Sequence, residues 1–221
     1  MEKTYRKSNF VHLTIALVFL LLVSALVDQF PTSLGQLLVQ ASTIITVAAG
    51  IGSTNISRTW FRTGTGFLLA ILVVAMLGIW LEYAKFDYLH LLILISFYLW
   101  ATWLAAKQVL FTGPIDWNKV VGAICIYLLM GLVWALSYLL IAQAIPNAFN
   151  GLEQLPWYDN FADTAYYSFV TLTTLGYGDI SPVAPIARFL VYMEAIFGVF
   201  YMAILVASLI GISTSKIQSR E

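Results

Sequence analysis

The chain has 221 residues, 61% of them hydrophobic and 10% charged, with a formal net charge of zero. A soluble domain carries about 25% charged residues, so this composition excludes an ordinary soluble domain, and the balanced charge argues against a nucleic-acid partner. The lone cysteine, Cys125, lies inside an apolar run with no disulfide partner and no neighbouring metal ligands, and reads as a small buried apolar residue.

A helix needs about 20 apolar residues to cross a bilayer. Taken in chain order, residues 10–27, 34–54, 65–84, 88–110, 119–145 and 187–212 meet that need. Asp28-Gln29-Phe30-Pro31 separates the first pair, Thr63-Gly64-Thr65-Gly66 precedes the third, and a short polar stretch from Glu82 to Asp87 precedes the fourth. Gly113-Pro114 ends the fourth and Pro146 follows the fifth, because proline lacks an amide proton and disfavours helix before it. Lys3, Arg6 and Lys7 ahead of an apolar run, with Val23-Ser24-Ala25 behind them, have the pattern of a signal peptide; the run continues through Leu26 and Val27, which favours a retained first helix. Gly50 and Gly52 are expected to permit close helix packing.

Charge placement orients the spans. With the N-terminus in the cytoplasm, Lys3, Arg6, Lys7, Arg58, Arg62, Lys107, Lys119, Lys216 and Arg220 lie inside, Arg58 and Arg62 in the second cytoplasmic loop, and only Lys85 and Arg188 outside. Asp28, Glu82, Asp87, Glu153, Asp159, Asp163 and Asp179 fall outside, where solubility and a local excess of cations at the pore mouth both account for them.

Residues 146–186 are too apolar for a plain loop. Asn160 and Asp163-Thr164 offer helix N-caps, and Ala165 to Leu172 is long enough for a short helix but too short to cross. This predicts a re-entrant helix that hands the chain to Thr173-Thr174-Leu175-Gly176-Tyr177-Gly178-Asp179. Irregular backbone at membrane depth is tolerated only when buried in protein or lining water, so this segment implies a cavity. Residues alternating between right- and left-handed conformations point successive carbonyls to one side, and glycine enters the left-handed region at little cost. Four such strands around an axis would replace the water shell of a potassium ion.

The run resembles the selectivity filter of the potassium channel family, Thr-Val-Gly-Tyr-Gly, at Thr174, Gly176, Tyr177 and Gly178, with Leu175 where valine is usual. The resemblance implies that Thr174, Leu175, Gly176 and Tyr177 bind K+ through carbonyls, with the Thr174 hydroxyl adding an inner ring. It implies that Gly176 and Gly178 relieve backbone strain, that the side chains of Leu175 and Tyr177 pack behind the strand, and that Thr173 and Asp179 flank the filter. Tyr166 and Tyr167 match an aromatic pair on the family's pore helix that forms a cuff around the filter. Val170 stands where some members carry a glutamate, so a bond from that carboxylate to Asp179 is absent. Gly198, nineteen residues after Asp179, stands where members carry a hinge glycine; close helix packing and a gating bend both account for it. Ala203, Ala207 and Gly211 form a small-residue stripe suited to an inner bundle crossing.

Glu194 is the only acid well inside a span and needs a partner; Ser168, Thr171 and Tyr201 are candidates, with a structural hydrogen-bonding role expected. The voltage-gated branch of the family carries arginines every third residue on its fourth helix, whereas the fourth span here has only His90 and Lys107 near its ends, so steep voltage gating is not expected. His12 and His90 lie near span ends and read as tucked or interfacial side chains, not as proton sensors. The few residues after the sixth span leave no room for a regulatory domain, and no metal, nucleophile or phosphate-loop constellation is present.

The sequence therefore predicts an all-α membrane protein with six transmembrane helices and a re-entrant pore helix and extended filter between the fifth and sixth. Residues 1–112 form a four-helix domain and residues 113–221 the pore domain. The expected function is passive potassium conduction by a homotetramer in a plasma membrane, termini cytoplasmic, with lipid, potassium ions and its own copies as partners and no cofactor or enzymatic step. A weakly selective cation channel, which Leu175 would allow, and a non-conducting regulatory subunit are the alternatives.

Overall fold

A computed structural model describes residues 10–26, 32–53, 58–81, 85–110 and 117–218. Its elements are α1 (Phe10–Leu26), α2 (Thr32–Ser53), α3 (Arg58–Leu81), α4 (Lys85–Leu110), α5 (Trp117–Ala144), β1 (Phe149–Asn150), α6 (Phe161–Leu172), β2 (Ser181–Pro182) and α7 (Pro185–Gln218). The chain is a multi-pass, all-α membrane protein; among the described residues five helices, α2 to α5 and α7, are long and apolar enough to cross a bilayer. The expected first span is shorter: α1 has 17 residues, about 25 Å of helix against a hydrocarbon core of about 30 Å.

Most helix ends lie within three residues of their predicted limits, but α7 runs six residues past the expected 212 and α3 begins seven residues before the expected 65. α3 starts at Arg58, not after Thr63-Gly64-Thr65-Gly66. The glycines do not break the helix, because Gly64 is buried where α3 meets its neighbours: a Cβ there would lie 2.7 Å from Ile51 and 3.3 Å from Trp100. Thr65 turns its hydroxyl back to the carbonyls of Phe61 and Arg62. Arg58 and Arg62 therefore belong to the first turns of a helix and not to a loop. Gly50 packs against Phe97, as expected, but nothing lies within 4 Å of a Cβ at Gly52.

α5 is the hub. α4 lies along one side of it and α1 along another, and the shared core holds Leu17, Leu94, Tyr98, Leu129, Leu132 and Leu136 with Cys125, all fully buried. The start of α1 is tied to the start of α5 by the Phe10 amide, which donates to Asn118 Oδ1 at 3.2 Å. At the opposite end, the loop ahead of α6 reaches α4: Trp157 is buried against His90, with ring centroids 5.0 Å apart, and donates its indole N–H to the Asp87 carboxylate. His90 is thus tucked in, the first of the two readings its place near a span end allowed.

Candidate functional site

The pore unit is built on α5, α6 and α7. α6 starts at Phe161, four residues earlier than expected, with Asn160 at its N-cap. The Asn160 side chain makes no capping bond; its Nδ2 donates to the Glu153 carbonyl at 2.7 Å and pins the preceding loop instead. α7 opens on Pro185, a first-turn position where the missing amide proton costs nothing. β1 and β2 pair antiparallel, Phe149 opposite Pro182 and Asn150 opposite Ser181, so the segment before α6 is stitched to the segment after the filter. Gly151, at φ +77°, brings its α-carbon so close to Asp179 that a Cβ would lie 2.2 Å from the Asp179 carbonyl oxygen.

The filter run folds back onto the C-terminal end of α6. The Thr174 amide donates to Thr171 O at 2.9 Å, and the amides of Leu175 and Gly176 donate to Val170 O at 2.9 and 3.3 Å. Helix-end carbonyls that would otherwise lack partners are thereby satisfied. The backbone then alternates in sign of φ: Thr174 at +60°, Gly176 at +60° and Gly178 at +80° are left-handed, and Leu175 and Tyr177 between them are not. A threonine in that region stores roughly 1–3 kcal/mol of strain. Among the described residues, no hydrogen bond within the chain ends on the carbonyls of Thr174, Leu175, Gly176 or Tyr177. The backbone therefore presents successive acceptors that the chain itself does not use.

The supporting aromatics divide. Tyr166 faces the filter: its hydroxyl donates to Asp179 Oδ2 at 2.7 Å, and its ring stacks on Tyr177 with centroids 6.5 Å apart. That hydroxyl holds the Asp179 carboxyl below the usual carboxylate range. Tyr167 faces the other way, buried against Tyr138 and Phe149. The two rings are therefore not one cuff within a single chain. Leu175 and Tyr177 are 56% and 66% exposed in the single chain, and the ring of Tyr166 lies beside that of Tyr177. Thr173 caps α6, its amide donating to Phe169 O at 3.0 Å.

Gly198 sits where α7 crosses the end of α6. A Cβ there would lie 2.2 Å from the Leu172 carbonyl oxygen, so close packing is its evident role in this structure. Ala203 is exposed, and the side chains of Ala207 and Gly211 lie outside the described residues. Of the partners expected for Glu194, Ser168 is found, with Oγ 2.5 Å from Oε1. Thr171 is not a partner, and Tyr201 donates instead to the Ala123 carbonyl at 2.6 Å. Sequence reasoning missed Tyr138, whose hydroxyl donates to Glu194 Oε2. A tyrosine in the middle of α5 was the available signal, since a buried phenol needs a partner.

This loop, helix and strand arrangement coincides with a recognised module: residues 122–214 match the family model described as "Ion channel". Residues 122–214 form an ion-channel domain. The domain is not an enzyme. Over 85 residues the chain is 36% identical to the inward rectifier potassium channel Kirbac3.1 of Paramagnetospirillum magnetotacticum, a match covering 38% of this chain and 26% of that protein. The chain thus spans about a quarter of that relative's length. No significant match to a solved structure is found.

Proposed function

We propose that this protein conducts potassium passively through a homotetrameric pore in which Thr174 to Gly178 of four chains converge on one axis. The observation that carries the reading is the alternation of φ sign from Thr174 to Gly178, where the carbonyls of the first four residues accept no hydrogen bond among the described residues. Carbonyl oxygens in that pattern suit a dehydrated monovalent cation, and similarity to a potassium channel supports the choice of ion. Four copies are needed because one strand supplies a quarter of a ring, and the exposed faces of Leu175 and Tyr177 are available for a neighbouring copy.

In this reading residues 113–221 are the pore domain, and residues 1–112 form a four-helix domain without a charge stripe. α4 carries Lys107 in its last turn and no arginine, which supports a channel that is not steeply voltage-gated. The lysine and arginine distribution supports cytoplasmic termini in a plasma membrane. The test is flux from reconstituted full-length protein in liposomes, with potassium and then sodium. Potassium flux with little sodium flux is expected; equal fluxes would replace potassium selectivity with general cation conduction, and no flux would remove the conducting reading.

A further inference from the structure

Glu194 lies fully buried in α7, and among the described residues no cationic side chain pairs with it. Its two oxygens are divided between two helices. Oε2 accepts from the Tyr138 hydroxyl of α5, and Oε1 lies 2.5 Å from Ser168 Oγ of α6. Ser168 Oγ is also 2.7 Å from the Gly131 carbonyl of α5. Tyr138 and Ser168 are themselves fully buried.

The protons can be counted. A backbone carbonyl carries no hydrogen, so the bond between Ser168 Oγ and Gly131 O uses the only hydroxyl hydrogen that serine has. The short contact between Ser168 Oγ and Glu194 Oε1 then needs a hydrogen from the glutamate side. A carboxylic acid supplies it: O–H on Oε1 donates to Ser168, and the carbonyl oxygen Oε2 accepts from Tyr138. An ionised carboxylate would leave two buried oxygens competing for a hydrogen already given to Gly131, in an apolar setting that penalises unpaired charge.

We infer that Glu194 is a positioning residue for the filter: a protonated carboxyl that bonds Ser168 and Tyr138 and so fixes α6 between α5 and α7. The consequence follows from connectivity. Ser168 is two residues from Val170, whose carbonyl receives the amides of Leu175 and Gly176. On the same side of α6, Gly198 of α7 sits against Leu172. Rotation or shift of α6 therefore moves the atoms on which the filter backbone hangs. On its Tyr138 side the clamp reaches the ring cluster of Phe149 and Tyr167, behind the β1–β2 pair.

The inference rests on the potassium-filter reading for its functional readout, and the experiment separates the two. Full-length wild type, Glu194→Gln, Glu194→Ala and Ser168→Ala are reconstituted in liposomes; reversal potentials are read in mixed potassium and sodium, and infrared spectra in the carboxyl C=O region. Wild type shows a protonated-carboxyl band that Glu194→Gln lacks. Glu194→Gln keeps wild-type selectivity, because its amide N–H donates to Ser168 and its amide oxygen accepts from Tyr138. Glu194→Ala and Ser168→Ala lose potassium preference several-fold. If Glu194→Gln fails as Glu194→Ala does, or the band is missing from wild type, the neutral-acid assignment is overturned. If Glu194→Ala keeps wild-type selectivity, the positioning role is overturned. Should wild type itself lack potassium preference, the potassium reading is lost, while the infrared band and the thermal stability of Glu194→Gln relative to Glu194→Ala still decide where the proton sits. Should Glu194→Ala not assemble, Glu194→Gln and the band carry the decision alone.

Discussion

The hydroxyl of Tyr166 donates to Asp179 Oδ2 at 2.7 Å, so a side chain of the pore helix holds the outer end of the filter. Tyr166→Phe keeps the ring that stacks on Tyr177 and deletes only the donor. Potassium flux should start near the wild-type level and decline faster with time, and the sodium share should rise. Time-resolved liposome flux checks this; a Phe variant with wild-type time course would remove the bond from the filter's support.

The same bond sets a pH dependence. A carboxyl held below its ordinary value of 3.8 contributes its stabilisation above that pH and loses it as the pH falls through the lowered value. The link between Tyr166 and Asp179 should therefore persist from neutral pH down to roughly pH 4 and fail only below it. Flux measured against external pH should show no change attributable to this pair above that limit, and Asp179→Asn should abolish whatever acid-induced loss appears beneath it.

Gly178 stands at φ +80° with nothing within 4 Å of the space a Cβ would fill. The constraint is conformational and not steric. Gly178→Ala should abolish potassium flux while membrane insertion and chain folding persist, because alanine resists that backbone region by about 1–2 kcal/mol in each copy. Flux assays alongside membrane-fraction yield test both halves of the statement.

Gly198→Ala reverses the usual sign of its substitution. Alanine in place of glycine inside a helix normally stabilises by about 1 kcal/mol. Here the added carbon would meet the Leu172 carbonyl oxygen at 2.2 Å, backbone that cannot swing aside. Overpacking of this type costs about 1–3 kcal/mol, so the variant should be less thermally stable than wild type. A gain in melting temperature would show that α7 stands off from α6.

Trp157→Ala should detach the pore loop from α4. The indole is fully buried, stacks on His90 and bonds Asp87. Truncating a buried tryptophan costs about 3–5 kcal/mol, to be read as a large fall in the detergent melting midpoint with the long helices still formed by circular dichroism.

What residues 10–218 reveal of themselves in one dimension is whatever depends on near neighbours. Apolar runs of bilayer length, the prolines that end them and the glycines at alternate positions 176 and 178 are local requirements of the backbone, and each was legible from the chain. The short helix before the filter was legible for the same reason, and so was the need of Glu194 for a partner. Which partner was not: Tyr138 lies 56 residues away from Glu194, and no periodicity links them. The start of α3 was misjudged because glycine and threonine read as a break until Ile51 and Trp100 are seen to need the space beside Gly64. Gly151 beside Asp179, Gly198 beside Leu172 and Trp157 beside His90 belong to the same class. Contacts between distant segments are set by how helices pack, a property of the assembled chain, and only the tertiary structure decided them.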